Sequence, residues 1–125
     1  MTLDKCRFYS QKYPENTLIA LDAAKVVGFV SYGDFRDLDK RAGEIIALYV
    51  LKSYYGKGVG RQLMEAAFAA LDGYQEIILW VLEDNKRAIA FYKKMGFVFD
   101  GEEKVIDLGK AVKEKRMIYT RNSNS

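Results

Sequence analysis

The sequence predicts an α/β fold of the mixed-sheet kind, a central mixed sheet flanked by helices, and three observations lead there. Through the middle of the chain, apolar runs suited to strands alternate with stretches of helical period. Pairs of shorter strand-like runs bracket that middle on both sides. Between the first central strand and the first central helix lies a turn with three alternating glycines, Gly56, Gly58 and Gly60. Strand, helix, strand and helix between two hairpins is the pattern of one sheet covered by helices.

The elements follow in order. Cys6 to Tyr13 reads as a short helix stopped by Pro14, the single proline. Thr17 to Asp22 and Val26 to Tyr32 read as a hairpin, although Ala23-Ala24 is a weaker turn than Asn-Gly or Asp-Gly. Gly33 to Ala42 is a charged loop, and Glu44 to Leu51 a strand. Gly58 to Leu71 is a helix whose stripe is Val59, Leu63, Ala67 and Leu71, with Ala66 and Ala70 beside it. Glu76 to Leu82 reads as a buried strand. Lys86 to Met95 is a helix with a cap at Asp84 or Asn85, a face of Ala88, Phe91, Tyr92 and Met95, and Gly96 placed for a left-handed end. Phe97 to Glu102 and Lys115 to Thr120 are two further strands joined by a loop around Gly109, and Arg121 to Ser125 is a polar tail. Neither a linker nor a repeat interrupts the chain, so residues 1–125 are expected to form a single domain.

The glycine turn carries the most chemistry. A strand that feeds a helix through such a turn presents unpaired N–H groups at the positive end of the helix dipole, which suits an anion. Glycine lets a phosphate approach the main chain without meeting a Cβ. Lys57 and Arg61 add positive charge. A Walker-type loop requires Gly-Lys-Ser/Thr, which is absent, and in Gly56-Lys57-Gly58-Val59-Gly60-Arg61 the third glycine comes one residue too early for a dinucleotide fingerprint.

Tyr55-Gly56-Lys57-Gly58-Val59-Gly60 after a strand resembles the acetyl-CoA signature of the GNAT superfamily of N-acetyltransferases, Gln/Arg-x-x-Gly-x-Gly/Ala. Gly58 and Gly60 fill its small positions, and Tyr55 stands where Gln or Arg is usual. Downstream, Asn85-Lys86-Arg87-Ala88-Ile89-Ala90-Phe91-Tyr92-Lys93-Lys94-Met95-Gly96-Phe97 resembles the second half of that family's core, Asn-x-x-Ala-x-x-Phe-Tyr-x-x-x-Gly-Phe. The likeness spans residues 17–121 and is strongest over 44–97. It implies the GNAT acyl-CoA N-acyltransferase fold, acetyl-CoA as cosubstrate and no metal. It also implies binding of the coenzyme by Leu48, Tyr49, Val50, Tyr55, Gly56, Lys57, Gly58, Val59, Gly60, Arg61, Asn85 and Tyr92. Asn85 would hydrogen-bond the pantetheine arm, and Tyr49 and Val50 would pair with its amides as an added strand does.

The implied reaction is acetyl transfer from acetyl-CoA to a primary amine. An amine of pKa near 10.4 is almost wholly protonated at pH 7, and reaching the free base costs roughly 4–5 kcal/mol. Glu44 is the candidate base: it opens the strand at the spacing ahead of Gly58 at which catalytic glutamates occur in several members. Strand alternation places it with Ile46 and Leu48, whose apolar surroundings would raise its pKa. Tyr92 is the candidate acid for the departing thiolate, because a phenol near pKa 10 donates without first ionising. The acceptor is read as a small-molecule amine. Acetylation of a protein N-terminus or lysine, and a non-catalytic acyl-CoA-binding module, remain alternatives.

Composition narrows the classes. Of 125 residues, 50% are hydrophobic and 30% charged, an ordinary globular balance with a net charge of +3. One cysteine and no histidine exclude an internal disulfide, His-ligated zinc, and Ser-His or Cys-His nucleophilic schemes. Basic clusters at Lys86-Arg87, Lys93-Lys94 and Lys113 to Arg116 are interleaved with acids, which argues for solvated faces and coenzyme phosphates rather than nucleic acid. The longest apolar runs fall far short of a membrane span, and with no apparent leader the expectation is cytoplasmic. The family usually has a strand and two helices before the first hairpin, where this chain has little sequence. Much of that cover is therefore expected to be absent, with a homodimer burying Phe8, Leu18, Ile19, Val26, Val27 and Phe29 in its place.

Overall fold

A computed structural model describes residues 2–5, 16–35 and 41–121. Seven strands form one sheet: β1 (Thr2–Lys5), β2 (Thr17–Asp22), β3 (Lys25–Asp34), β4 (Gly43–Val50), β5 (Glu76–Leu82), β6 (Val98–Asp107) and β7 (Ala111–Thr120). Helix α1 (Val59–Ala70) joins β4 to β5, and α2 (Lys86–Lys94) joins β5 to β6. The order across the sheet is β1-β2-β3-β4-β5-β7-β6. Neighbours run antiparallel except β4 and β5, which are parallel and linked by α1 as a crossover. The α/β mixed sheet flanked by helices is therefore the observed fold.

The core forms where α1 lies on β2, β3 and β4. Its buried stripe is Val59, Leu63, Met64 and Ala67. Met64 thus widens the predicted stripe, and Ala70 faces solvent. Ile77, Leu79 and Val81 of β5, Phe97 and Met117 complete the cluster. Helix α2 seats Ala88, Phe91, Tyr92 and Met95 on it without burying any of them fully, and Ile89 joins that face. Asn85 is the cap, its Oδ1 accepting the Ala88 N–H at 3.1 Å. At the other end Gly96 takes φ 104°. There Gly96 N–H donates to the Lys93 carbonyl and Phe97 N–H to that of Tyr92, the paired bonds of a Schellman ending.

Three sequence expectations change. A strand at Thr2–Lys5, unpredicted, pairs with β2 at one edge of the sheet. Strands β6 and β7 are longer than expected and close through a short turn at Gly109. Their charged halves hide strand alternation, because Glu103↔Lys115 and Lys104↔Glu114 pair across the ladder and salt bridges such as Lys113–Glu103 at 3.1 Å link them. Val27 is wholly buried and so unavailable to a dimer surface, whereas Leu18 packs on the core only partly buried and Val26 is 44% exposed. The weak turn at Ala23-Ala24 forms with Ala23 at φ 55°, a strained conformation for a residue with a Cβ. The predicted helix at residues 6–13 and most of the loop after Asp34 lie outside the described residues.

The C-terminal end of α1 is held from far away in sequence. Arg121 donates from Nε to the Tyr74 carbonyl at 2.8 Å, and from a terminal guanidinium nitrogen to the carbonyls of Phe68 at 2.7 Å and Leu71 at 3.0 Å. Helix ends leave such carbonyls without intrahelical partners. Arg121→Ala is expected to lower stability by about 2 kcal/mol, a fall in Tm on the order of 5–10 °C by calorimetry. Arg121→Lys should recover only part, since an ammonium lacks the guanidinium fork.

Candidate active site

The site begins where β4 leaves β5. The two strands pair only at Gly43↔Ile77, Glu44↔Ile78 and Ile45↔Leu79. Beyond Ile45, β4 stays with β3 alone and β5 with β7 alone, so the sheet forks. A β-bulge marks the split: Ser31 opposes Ala47 while the next residue, Tyr32, opposes Ile45, leaving Ile46 as the extra residue. A bulge bends its strand and shifts the side-chain phase. Leu48 and Val50 accordingly pack against the core on the α1 side. Gly43 also faces that side, where a Cβ would lie 3.2 Å from Leu71. Glu44, between Gly43 and Ile45, points to the opposite face. The expected grouping of Glu44 with both Ile46 and Leu48 is therefore half correct: Ile46 shares its face, and the bulge turns Leu48 away.

Glycines shape the fork's wall and floor. A Cβ on Gly28 would lie 2.7 Å from the Tyr49 carbonyl oxygen, so only glycine lets β3 approach β4 this closely. Past Val50, the chain makes a short 3-10 turn at Lys52–Tyr54. It is tied down by Tyr54, whose hydroxyl donates to Asp22 at 2.5 Å. That bond keeps the Tyr54 phenol protonated to higher pH than usual. Gly56 at φ 77° and Gly58 at φ 81° then turn the chain through the left-handed region into α1. Gly58 is the N-cap and offers no side-chain cap to the first N–H groups. Open space surrounds the Cβ positions of Gly56 and Gly58, whereas one on Gly60 would touch the Phe91 ring at 3.4 Å. Helix α2 thus closes over the start of α1.

Between these elements lies a cavity of about 620 Å³, within the range of small-molecule sites. It collects Leu48, Tyr49, Val50, Tyr55, Gly56, Gly58, Val59, Gly60, Arg61, Asn85 and Tyr92 of the predicted coenzyme residues. Lys57 does not line it: its ammonium sits over the Tyr54 ring, 5.2 Å from the centroid. Arg87 and Lys94 do line it, whereas among the described residues no carboxylate does, so the described wall is electropositive. Both were legible only as members of basic clusters. Arg61 contributes with its Nε already engaged by Glu65 at 2.9 Å.

Tyr92 lines the cavity, whereas Glu44 does not: it lies beside the apex of the fork, on the opposite face of the sheet. Tyr92 is on the α1 side, held edge-on to Phe91 and Phe97 with centroids 5.7 and 6.0 Å away. Burial pushes its phenol pKa up, so the hydroxyl keeps its proton across the physiological range. Glu44 stands beside the apex, one residue before the split, with Gly33 and buried Ile78 as its cross-strand neighbours. Among the described residues no cluster of His, Cys, Asp and Glu is placed to hold a metal ion. No helix among them is long and apolar enough to cross a membrane.

An electropositive cradle opening into a split sheet has the shape and charge to suit an extended molecule with an anionic end. The sequence matches the Acetyltransferase (GNAT) family over residues 3–97, and the chain belongs to that family. It is 32% identical over 94 residues to N-alpha-acetyltransferase 30 of Schizosaccharomyces pombe, a match covering 73% of this chain and 63% of that protein. It is 33% identical over 96 residues to an L-methionine sulfoximine/L-methionine sulfone acetyltransferase of Pseudomonas paraeruginosa, covering 74% and 55%. The match thus spans less than two thirds of either relative. Among solved structures, PH1933 from Pyrococcus horikoshii OT3 superposes with a TM-score of 0.73 at 30% identity, covering 87% of this chain and 67% of that one.

Proposed function

We propose that the chain transfers acetyl from acetyl-CoA directly to the primary amine of a small molecule, with both substrates held at once. The observation that carries this is the fork. Its apex lies next to Glu44 on one face, while the glycine cradle, Asn85 and Tyr92 lie toward the other. The cradle suits the pyrophosphate, and the β4 edge beyond Ile45, which β5 leaves uncovered, suits the pantetheine amides by strand addition.

In this reading Glu44 takes the ammonium proton, directly or through water. The neutral nitrogen then attacks the thioester carbonyl. As the tetrahedral adduct collapses, the C–S bond breaks and the sulfur takes a proton or hydrogen bond from Tyr92. The approach of acid and base from two faces favours direct attack over an acyl-enzyme, and no cysteine, serine–histidine pair or metal is invoked.

The likeness to a methionine sulfoximine acetyltransferase supports a small amine. The comparable likeness to an N-alpha-acetyltransferase supports a second reading, acetylation of protein N-termini. Release of CoA thiol across a panel of small amines and N-terminal peptides tests both. Turnover confined to peptides would sink the small-amine reading, and none on any acceptor would favour a coenzyme-binding module. We further propose that the chain is cytoplasmic and pairs as a homodimer; light scattering is expected to give twice the mass of one chain, and a strictly monomeric mass would remove the pairing.

A further inference from the structure

Resting on the coenzyme reading above, the geometry points to Arg87, held over the Tyr55 ring, as the side-chain ligand of the coenzyme's pyrophosphate. The Arg87 guanidinium carbon lies 3.8 Å from the Tyr55 ring centroid, the separation of a stacked cation–π contact. Tyr55 directly precedes the left-handed Gly56 and leads into the main-chain cradle, and Arg87 comes from the first turn of α2 on the other side of the cavity. Both side chains line that cavity.

Among the described residues three cations line the cavity: Arg61, Arg87 and Lys94. Arg61 already shares its Nε with Glu65. Lys94 lies in the last turn of α2, at the far end of that helix from Arg87, and lines a second hollow with Arg61 and Glu65. Arg87 lines the cavity and makes no ion pair with any described residue, so no described carboxylate competes there for its donors. Stacking leaves the edge of a guanidinium open, where its planar fork matches two phosphate oxygens. An anion held by the cradle's N–H groups would meet that edge.

Tyr55 is then a positioning residue. It occupies a place where the resembling signature has Gln or Arg, and its ring carries a cation brought from α2 instead. This accounts for a departure that composition and spacing leave unexplained.

Calorimetric titration of the whole chain tests the assignment. Arg87→Met, which keeps the stem's bulk, is expected to weaken acetyl-CoA about tenfold at low salt and to flatten the salt dependence of binding. The same loss is expected with 3′-dephospho-acetyl-CoA, which retains the pyrophosphate, and none with S-acetylpantetheine, which lacks it. Tyr55→Leu should lose part of the affinity. Tyr55→Arg combined with Arg87→Met should recover most of it, a rescue that a packing role would not give. A loss that disappears with the dephospho compound would assign Arg87 to the 3′-phosphate and overturn the proposal. Unchanged affinity in Arg87→Met, with the wild type binding, overturns the assignment alone. A wild type that does not bind acetyl-CoA overturns the coenzyme reading and this assignment with it.

Discussion

Gly58→Val is expected to reduce acetyl-CoA affinity at least 100-fold while leaving the fold recognisable by circular dichroism. Two causes act together. At φ 81° a side chain costs about 1–2 kcal/mol for an ordinary L-residue, and β-branching adds to it. The chain relieves that strain by re-aiming the first N–H groups of α1, the groups the cradle depends on. Among the described residues, none beyond its chain neighbours and its own helix lies within 4 Å of the new Cβ, so valine's methyls project into the space assigned to the pyrophosphate rather than into the core. Gly73→Val, also with open space at its Cβ but away from the site, is the control. Calorimetry with acetyl-CoA decides the matter; affinity within twofold of wild type would remove the phosphate site from this turn.

The second large effect is on turnover. Glu44→Gln and Tyr92→Phe should each lower kcat by about 10²–10³, the usual contribution of a positioned acid or base. Tyr92→Phe should leave coenzyme affinity nearly unchanged, since it removes one hydroxyl and keeps the ring between Phe91 and Phe97. The pH dependence separates the roles. Burial raises the Tyr92 pKa, so the phenol is protonated at every pH below 10 and its contribution is lost only as pH rises beyond that. Stability follows the same sign: the raised native pKa favours folding below the unfolded value near 10 and loses that effect at higher pH. Glu44→Gln should remove the acidic limb of the kcat/KM profile, which Tyr92→Phe should leave in place. Wild-type rates in either variant across the whole pH range would end that residue's chemical role.

Much of this was legible in the sequence because local rules and tertiary structure agree. The Gly58 turn, the Asn85 cap, the Gly96 ending and the α1 stripe each follow from a residue type at a defined offset. The β4 phase was not legible, since Glu44 to Val50 alternates adequately on its own and the bulge at Ile46 is set by register with β3. Strand β6 was missed beyond Glu102 because its pairing rests on charges contributed by β7. Arg87 was visible as a charge, but its stacking on Tyr55 joins elements far apart in sequence.

The grip of Arg121 on α1 has a kinetic side. Its bond to the Phe68 carbonyl closes a separation of 53 residues, and Met117, wholly buried, enters the core from β7, the strand that leads into Arg121. The helix that carries the cradle therefore cannot gain its full cover until residues near 121 have arrived. A chain growing from its N-terminus would hold α1 and β5 with one side of the sheet still open. Closing that gap is a long-range step, slow because loop entropy is spent before the contacts form. Until then β5 has a bare edge, and an intermediate with a bare edge is the species most exposed to aggregation.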